Sequence, residues 1–268
     1  MAQDWKRAMS SNIRIETRDL CKGFATKAGR LEVLDSTDLI VRDGEFVSIL
    51  GPSGCGKSTL LSVLSGIELP DSGTVKVDGL PPAEAVRRAS WMPQLDSLFP
   101  WRTVAANVAL GFEVAGRIGR AAARRRATRL LEDFGLEQFA DMHPHQLSGG
   151  MRQRVALART VAQQRDILLL DEPFGALDAL TRTELQLWTE QIWERERWTV
   201  LLITHDVREA ILLSDRIYVL SSRPASVKLE LEVNLERPRS IATLSDPRFS
   251  SLEAKLLAAL GLGAPETS

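Results

Sequence analysis

The chain has 268 residues, 44% of them apolar, enough to bury the core of one large α/β domain or two modest ones. A formal net charge of -1 offers no basic balance toward nucleic acid, and Cys21 and Cys55 cannot build a disulfide framework, so a reducing compartment fits best. No apolar run reaches the roughly 18 residues of a bilayer span, and the polar start MAQDWKRAMSSN lacks a signal-peptide core, so any membrane role is expected to be peripheral, through a partner.

IRIETRDL, from Ile13, alternates and predicts an early strand. The stretch from Lys27 to Arg30 reads as a hairpin turn. FVSIL, 46–50, is a short apolar run stopped by glycine, the mark of a buried strand. GKSTLLSVLSG, 56–66, predicts a helix ended by Gly66, and LPDSGTVKVDG places strand residues between turn signals. From Trp101 to Thr160 the texture turns helical. TVAANVALGFEVAG, RAAARRRATRLLEDFG (stopped at Gly135) and HPHQLSGGMRQRVALART each read as a helix. Buried strands return at ILLL, 167–170, TVLLIT, 199–204, and IYVL, 217–220. VKLELEV then alternates weakly, SSLEAKLLAAL reads as a last helix, and GLGAPETS reads as a frayed end. No repeat or low-complexity tract stands out. A sheet-based core, 13–92 and 165–220, is thus expected to be interrupted by a helical subdomain near 93–164 and followed by a short extension, 221–268.

GPSGCGKST fills the pattern G-x-x-x-x-G-K-[ST] between a strand and a helix. Gly51, Pro52, Ser53, Gly54, Cys55, Gly56, Lys57, Ser58 and Thr59 would form the cradle. Its glycines let successive N–H groups face phosphate oxygens, and the helix start adds positive potential. Lys57 can reach the outer phosphates and Ser58 can ligate Mg²⁺. Cys55 needs no chemical role beyond a small buried thiol. ILLLDEP sets two carboxylates after a buried strand. Asp171 suits Mg²⁺ held through water, and Glu172 suits activation of water for in-line attack, with Pro173 ending the strand. The plainer alternative is a strand exit capped by solvated acids. His205, after TVLLIT, can bond a γ-phosphate or position water, or be a structural strand-end histidine. Gln94 can bind Mg²⁺ or the attacking water, or belong to a surface loop.

Taken together, these pieces resemble the ATP-binding cassette ATPases of membrane transporters over residues 13–220. GPSGCGKST matches Walker A, Gln94 the Q-loop, and LSGGMRQ, 147–153, the signature. ILLLDEP matches Walker B with its catalytic glutamate, GALD, 175–178, the D-loop, and His205 the switch histidine. The resemblance implies a P-loop NTPase core with mixed sheets and an inserted helical subdomain. It also implies Mg²⁺-dependent ATP hydrolysis in a head-to-tail homodimer, each ATP lying between one subunit's Walker A and the other's signature. Ser148, Gly149 and Gly150 would then serve the neighbour's nucleotide, with Asp178 facing the opposing Walker A loop. On physical grounds a serine hydroxyl, glycine N–H groups and a helix start form an anion site, though QLSGG also reads as an ordinary N-capped helix. Phe24 is the implied adenine platform, with core packing as the other reading. Arg152, Gln153 and Arg154 oppose the helix dipole early in that helix and suit either contacts with acids or a solvated surface.

LFPWRTVAANVALGFE, LLLDEPFGALDALTR, ERPR at 236–239 and DPRFSSLEAKLLAAL are similar to importer subunits of the nitrate, sulfonate and taurine group. That likeness implies two membrane permease subunits above the ATPase pair, on the cytoplasmic face of the membrane, and a periplasmic or lipoprotein solute-binding protein acting through them. Phe99, Thr160 and Pro93 depart from the group's usual residues without removing a catalytic group. Leu98, Phe99 and Trp101 suit a permease pocket and equally suit local packing. RAAARRRATR reads as a solvated helix face, with anionic lipid as the alternative. No N-K-x-D segment supports a GTPase, and the length leaves no room for the coiled-coil insertion of a repair ATPase. An exporter ATPase or a non-transport cassette remains the alternative. The solute, among sulfonate, nitrate, taurine or a thiamine precursor, is not written in this chain.

Overall fold

The computed structural model describes residues 12–262 apart from 28, 117 and 176. The polar N-terminal stretch before Asn12, Ala28 in the expected hairpin turn, Ala176 in GALD and the last six residues lie outside the described residues.

Two sheets form the frame. β1 (Ile13–Thr26), β2 (Gly29–Arg42) and β4 (Ser72–Val77) make an antiparallel sheet in the order β2-β1-β4. The second sheet also takes β3 (Phe46–Leu50), β5 (Ala89–Met92), β6 (Ile167–Asp171), β7 (Thr199–Ile203), β8 (Arg216–Leu220) and β9 (Val227–Glu232). Its order is β5-β6-β7-β3-β8-β9, parallel except for β9. β3, β6, β7 and β8 are buried at every position, as short apolar runs covered on both faces should be. β1 runs well past the expected IRIETRDL, and β2 has no counterpart in the sequence reading.

The helices cover both faces. α1 (Lys57–Leu64) lies between the sheets, its Leu60, Leu61 and Leu64 sharing a core with Ile15, Val77 and Ile203. After a short turn of helix, α2 (Pro82–Ala85), the insert supplies α3 (Val104–Val114), α4 (Arg120–Asp133) and α5 (Gly149–Val161). These helices share a continuous core with Phe46, Leu168 and Trp193, where Trp193 sits edge-on to Phe46 at 5.9 Å. α4 buries Ala123, Ala127 and Leu131 and turns its arginines outward, Arg124 pairing with Asp141 at 2.9 Å. The stretch from His143 is not one helix. His143 and Leu147 are extended, Pro144–Gln146 form a 3₁₀ turn, and α5 begins at Gly149 because the Ser148 hydroxyl accepts Met151 N–H at 3.2 Å and caps it.

α6 (Ala179–Glu196), absent from the sequence reading, runs from the D-loop region, and α7 (Val207–Leu213) follows His205. The extension is built into this frame: β9 is the sixth strand of the large sheet, and α8 (Pro247–Ala259) packs Phe249 and Leu256 against Val207, Ala210 and Ile211 of α7.

Candidate functional site

Parallel register brings the candidate residues together. Ile203 pairs with Ile49 on one side and with Asp171 on the other, so β3, β6 and β7 end at one level. The residues that follow them, from Gly51, Glu172 and Thr204 onward, therefore gather at one edge of the sheet. Ligands of open α/β sheets collect at such carboxyl ends.

The loop after β3 holds its shape through glycine. Gly56 has φ 128°, and a Cβ there would meet Val33 Cγ1 at 2.8 Å, so only glycine lets the helix start this close to β2. Gly54, at φ 73°, offers its carbonyl to Arg223, whose Nε lies at 3.1 Å. Cys55 is a buried free thiol, and its N–H turns back to Pro52 O at 3.3 Å. Lys57 is buried and its ammonium donates to the carbonyls of Gly51 (2.8 Å) and Pro52 (3.0 Å) across the loop mouth. Ser53 and Ser58 are exposed at this mouth, and Pro52 and Thr59 are half-buried beside it.

Asp171 ends β6 with 4% of its surface exposed, and its Oδ1 is buried with no hydrogen-bond partner. Burial raises its carboxyl above the ordinary carboxylate range, while a hydrogen bond from Ser58 and the charge of Lys57 work the other way. A buried orphan acceptor beside a serine hydroxyl is the arrangement a divalent cation would satisfy, so these residues fit Mg²⁺. Glu172 turns away at φ 47°, a left-handed conformation that costs a non-glycine residue of order 1 kcal/mol and concentrates at functional sites. Its N–H donates to Ile203 O at 2.9 Å. Its Oε2 accepts a hydrogen bond from Gln94 Nε2 at 3.2 Å and lies 3.2 Å from His205 Nδ1. Two residues far apart in sequence, Gln94 and His205, thus meet on one carboxylate oxygen of a third.

Ser148, Gly149 and Gly150 stand at the start of α5. Gly150 approaches α6 so closely that a Cβ would meet Thr181 Cγ2 at 2.7 Å. Among the described residues, no hydrogen bond or ion pair joins residues 148–150 to the phosphate loop of the same chain. Asp178 caps α6 by accepting Thr181 N–H at 3.1 Å, and that backbone bond holds its carboxyl below the usual range. Phe24 is half-buried at the end of β1, opposite Leu31, with the Lys22 ammonium 5.0 Å from its ring centroid. It also packs against the core shared by the two sheets.

Other expectations divide. Arg152 pairs with Asp96 (3.1 Å) and Arg154 with Glu184 (3.7 Å), so these basic groups do meet acids, whereas Gln153 is buried. Leu98 joins the core, Phe99 is half-buried, and Trp101 is 72% exposed, tilted against Phe99 at 5.2 Å. Sequence reasoning passed over Arg223 on Gly54 and a polar row on α6. In that row Arg182 lies 3.8 Å from Asp206 and donates to Leu177 O (2.7 Å), and Gln186 bonds the buried Glu209 (2.9 Å). No local signal points to them, since the partners are distant in sequence.

A glycine-shaped loop between a strand and a helix, a buried acid with an unsatisfied oxygen and a second carboxylate beside an amide and an imidazole are the kind of arrangement found in nucleotide-hydrolysing P-loop ATPases. The family model described as ABC transporter matches residues 34–175. The aliphatic sulfonates import ATP-binding protein SsuB 1 of Agrobacterium fabrum is 43% identical over 251 residues, covering 94% of this chain and 85% of that one. The nitrate import ATP-binding protein NrtD of Synechococcus elongatus is 42% identical over 239 residues, covering 88% and 87%. Among solved structures, a bacterial ABC transporter cassette seen as a dimer superposes with a TM-score of 0.75 at 32% identity, covering 83% of this chain and 100% of that one. The same cassette as a post-hydrolysis dimer bound to ADP and phosphate gives 0.74 at 30% identity, with the same coverage. The chain belongs to the ABC transporter family and is one of its ATP-hydrolysing cassettes.

Proposed function

We propose that the chain is the ATPase subunit of an ABC importer for a small anionic or organic solute of the sulfonate or nitrate kind. It works as a homodimer beneath two membrane permease subunits, on the cytoplasmic face of the membrane, with a periplasmic or lipoprotein solute-binding protein acting through them. The import names of the relatives and the dimeric cassettes it resembles support this reading. Among the described residues no helix is long and apolar enough to cross a membrane, which fits a peripheral subunit.

The observation that carries the chemistry is the convergence of Gln94 and His205 on Glu172, beside the phosphate loop. In the proposed cycle the backbone N–H groups of the loop 51–59, Pro52 apart, and the Lys57 ammonium bind the triphosphate and offset phosphoryl charge. Ser58, Asp171 and Gln94 would hold Mg²⁺, which would supply charge neutralisation for the phosphates. Glu172 orients and deprotonates the attacking water, and His205 contacts the γ-phosphate. Phe24 offers a face to adenine. Ser148, Gly149 and Gly150 complete the neighbour's site, and Asp178 faces the neighbour's phosphate loop, so ATP draws the pair together and hydrolysis releases it. Replacing Glu172 by Gln keeps the hydrogen-bonding shape and removes the base. Turnover should fall by at least about 100-fold while ATP-bound dimers accumulate on sizing. Near-wild-type ATPase would overturn the assignment.

A further inference from the structure

α7 begins directly after His205 and Asp206 and is seven residues long, too short to keep its own place. Both of its ends are held. At its start Asp206 accepts the N–H groups of Arg208 (2.9 Å) and Glu209 (3.1 Å). At its other end the carbonyls that a helix leaves unpaired are taken by two arginines of the C-terminal extension. Arg239 Nη1 donates to Ile211 O (3.0 Å), Leu212 O (3.2 Å) and Ser214 O (2.7 Å), and Arg237 Nη2 donates to Leu213 O (2.6 Å).

These arginines are anchored from behind. Glu190, fully buried on α6, accepts the Arg239 backbone N–H at 3.0 Å and also binds the Arg237 guanidinium. Arg237 Nε reaches Asp215 Oδ1 at 3.0 Å, and its guanidinium lies 4.0 Å from the Trp193 ring centroid. Arg239 is 3% exposed, and burial lowers its pKa to about 10, which leaves it charged at neutral pH. The outer face of α7 is covered by Phe249 and Leu256 of α8. Glu190 shares one face of α6 with Gln186 and Arg182, at spacings of four residues, and that row meets the start of α7 through Glu209 and Asp206. Apolar contact alone would let a short helix slide. Cations on individual carbonyls fix its axial position, and a rod of about 10 Å passes that position to the residue at its head.

We infer that Arg237 and Arg239 are positioning residues for His205, with the C-terminal extension acting as a strut that sets where the imidazole meets Glu172. This rests on the reading of His205 given under Proposed function. The chain's histidines are His143, His145 and His205, so their imidazole resonances can be assigned by substitution. The test compares Arg239→Gln, Arg239→Lys and His205→Ala in the full chain. It reads kcat and KM for ATP per folded molecule alongside the histidine resonances. Arg239→Gln should lower kcat by about tenfold or more, leave KM within about twofold, and move the His205 resonance while His143 and His145 stay in place. Arg239→Lys should recover part of kcat, since it restores the charge without the fork. An unmoved His205 resonance with unchanged kcat would overturn the inference, as would a parallel change in kcat, KM and all three histidines. If Arg239→Gln does not fold, Arg237→Lys decides by the same readouts, and its leaving both unchanged overturns the inference. Full turnover in His205→Ala would instead overturn the role given to His205, while the resonance arm still decides whether the arginines position it.

Discussion

Glu209 sits on α7 with 3% of its surface exposed, and burial pushes its carboxyl from 4.5 up to about 8, against hydrogen bonds from Thr204 and Gln186. The folded chain therefore holds this proton through a range in which the unfolded chain has lost it. By linkage the Glu209 contribution to stability is greatest below about pH 4.5, falls as pH rises toward 8, and is level above. The gap of about 3.5 pKa units corresponds to an upper bound of roughly 4–5 kcal/mol across that window. Glu209→Gln matches the shape of the protonated acid: its carbonyl can still accept Gln186 Nε2, now 2.9 Å from Glu209 Oε2, and nothing is left to ionise. The variant should lose less stability than the parent as pH rises, and near pH 8 it should be the more stable by a few kcal/mol. Urea unfolding of both chains from about pH 5 to about pH 9 measures this, and their difference isolates Glu209 from Glu45, another buried carboxyl pushed to about 8. Parallel stability profiles would refute the reasoning, because they would mean that Glu209 is already ionised in the folded chain at low pH.

Gly56→Ala places a Cβ 2.8 Å from Val33 Cγ1 at a φ of 128°, so it should cost about 2 kcal/mol or more and weaken ATP binding. Thermal unfolding and a nucleotide titration check it, and wild-type affinity would contradict the cradle assigned to this loop. Ser148→Arg should abolish ATPase and ATP-dependent pairing on sizing while leaving ATP binding by the monomer largely intact. Equal loss in the binding titration would mean that Ser148 serves its own chain's nucleotide.

The motifs and the parallel strands were legible because their signals are local. FVSIL and ILLL are short, largely apolar runs bounded by glycine or acid, and each supplies a strand that is buried throughout. β2 escaped notice because LDSTD breaks its apolar alternation; its ladder with β1 shifts register at the same place. α6 escaped for a different reason. Gln186, Thr189 and Glu190 are buried on it, so its inward face is not apolar and shows no helical period of hydrophobicity. The partners of Gln186 and Glu190 come from α7 and from the extension, which no window of sequence contains. Arg223 on Gly54 is likewise a contact across 169 residues. The serine at the mouth of α5 was legible as a cap, and the structure shows that cap. Its service to a second chain rests on the likeness to cassettes solved as dimers.

Adjacent carboxylates in one sequence could be interchangeable; here a single step of chain separates their chemistry. Asp171 is the last residue of β6 and keeps the strand's pairing with Ile203, so its side chain stays buried beside Ser58 with an unsatisfied oxygen. Glu172 breaks from the strand with φ 47°, and that turn delivers its carboxylate to Gln94 and His205. Pro173 follows and cannot donate to a ladder, so the strand has no means of continuing and drawing Glu172 back into the sheet. Shifting β6 by one residue so that Glu172 paired with Ile203 would put Glu172 in the place of Asp171 and push Asp171 into the sheet opposite Leu202. The apolar run ILLL, buried at every position, opposes that slip because it would draw Ile167 out of the buried stretch and bring a second carboxylate in. The different surroundings of the two acids therefore depend on core packing several residues away as much as on the acids themselves.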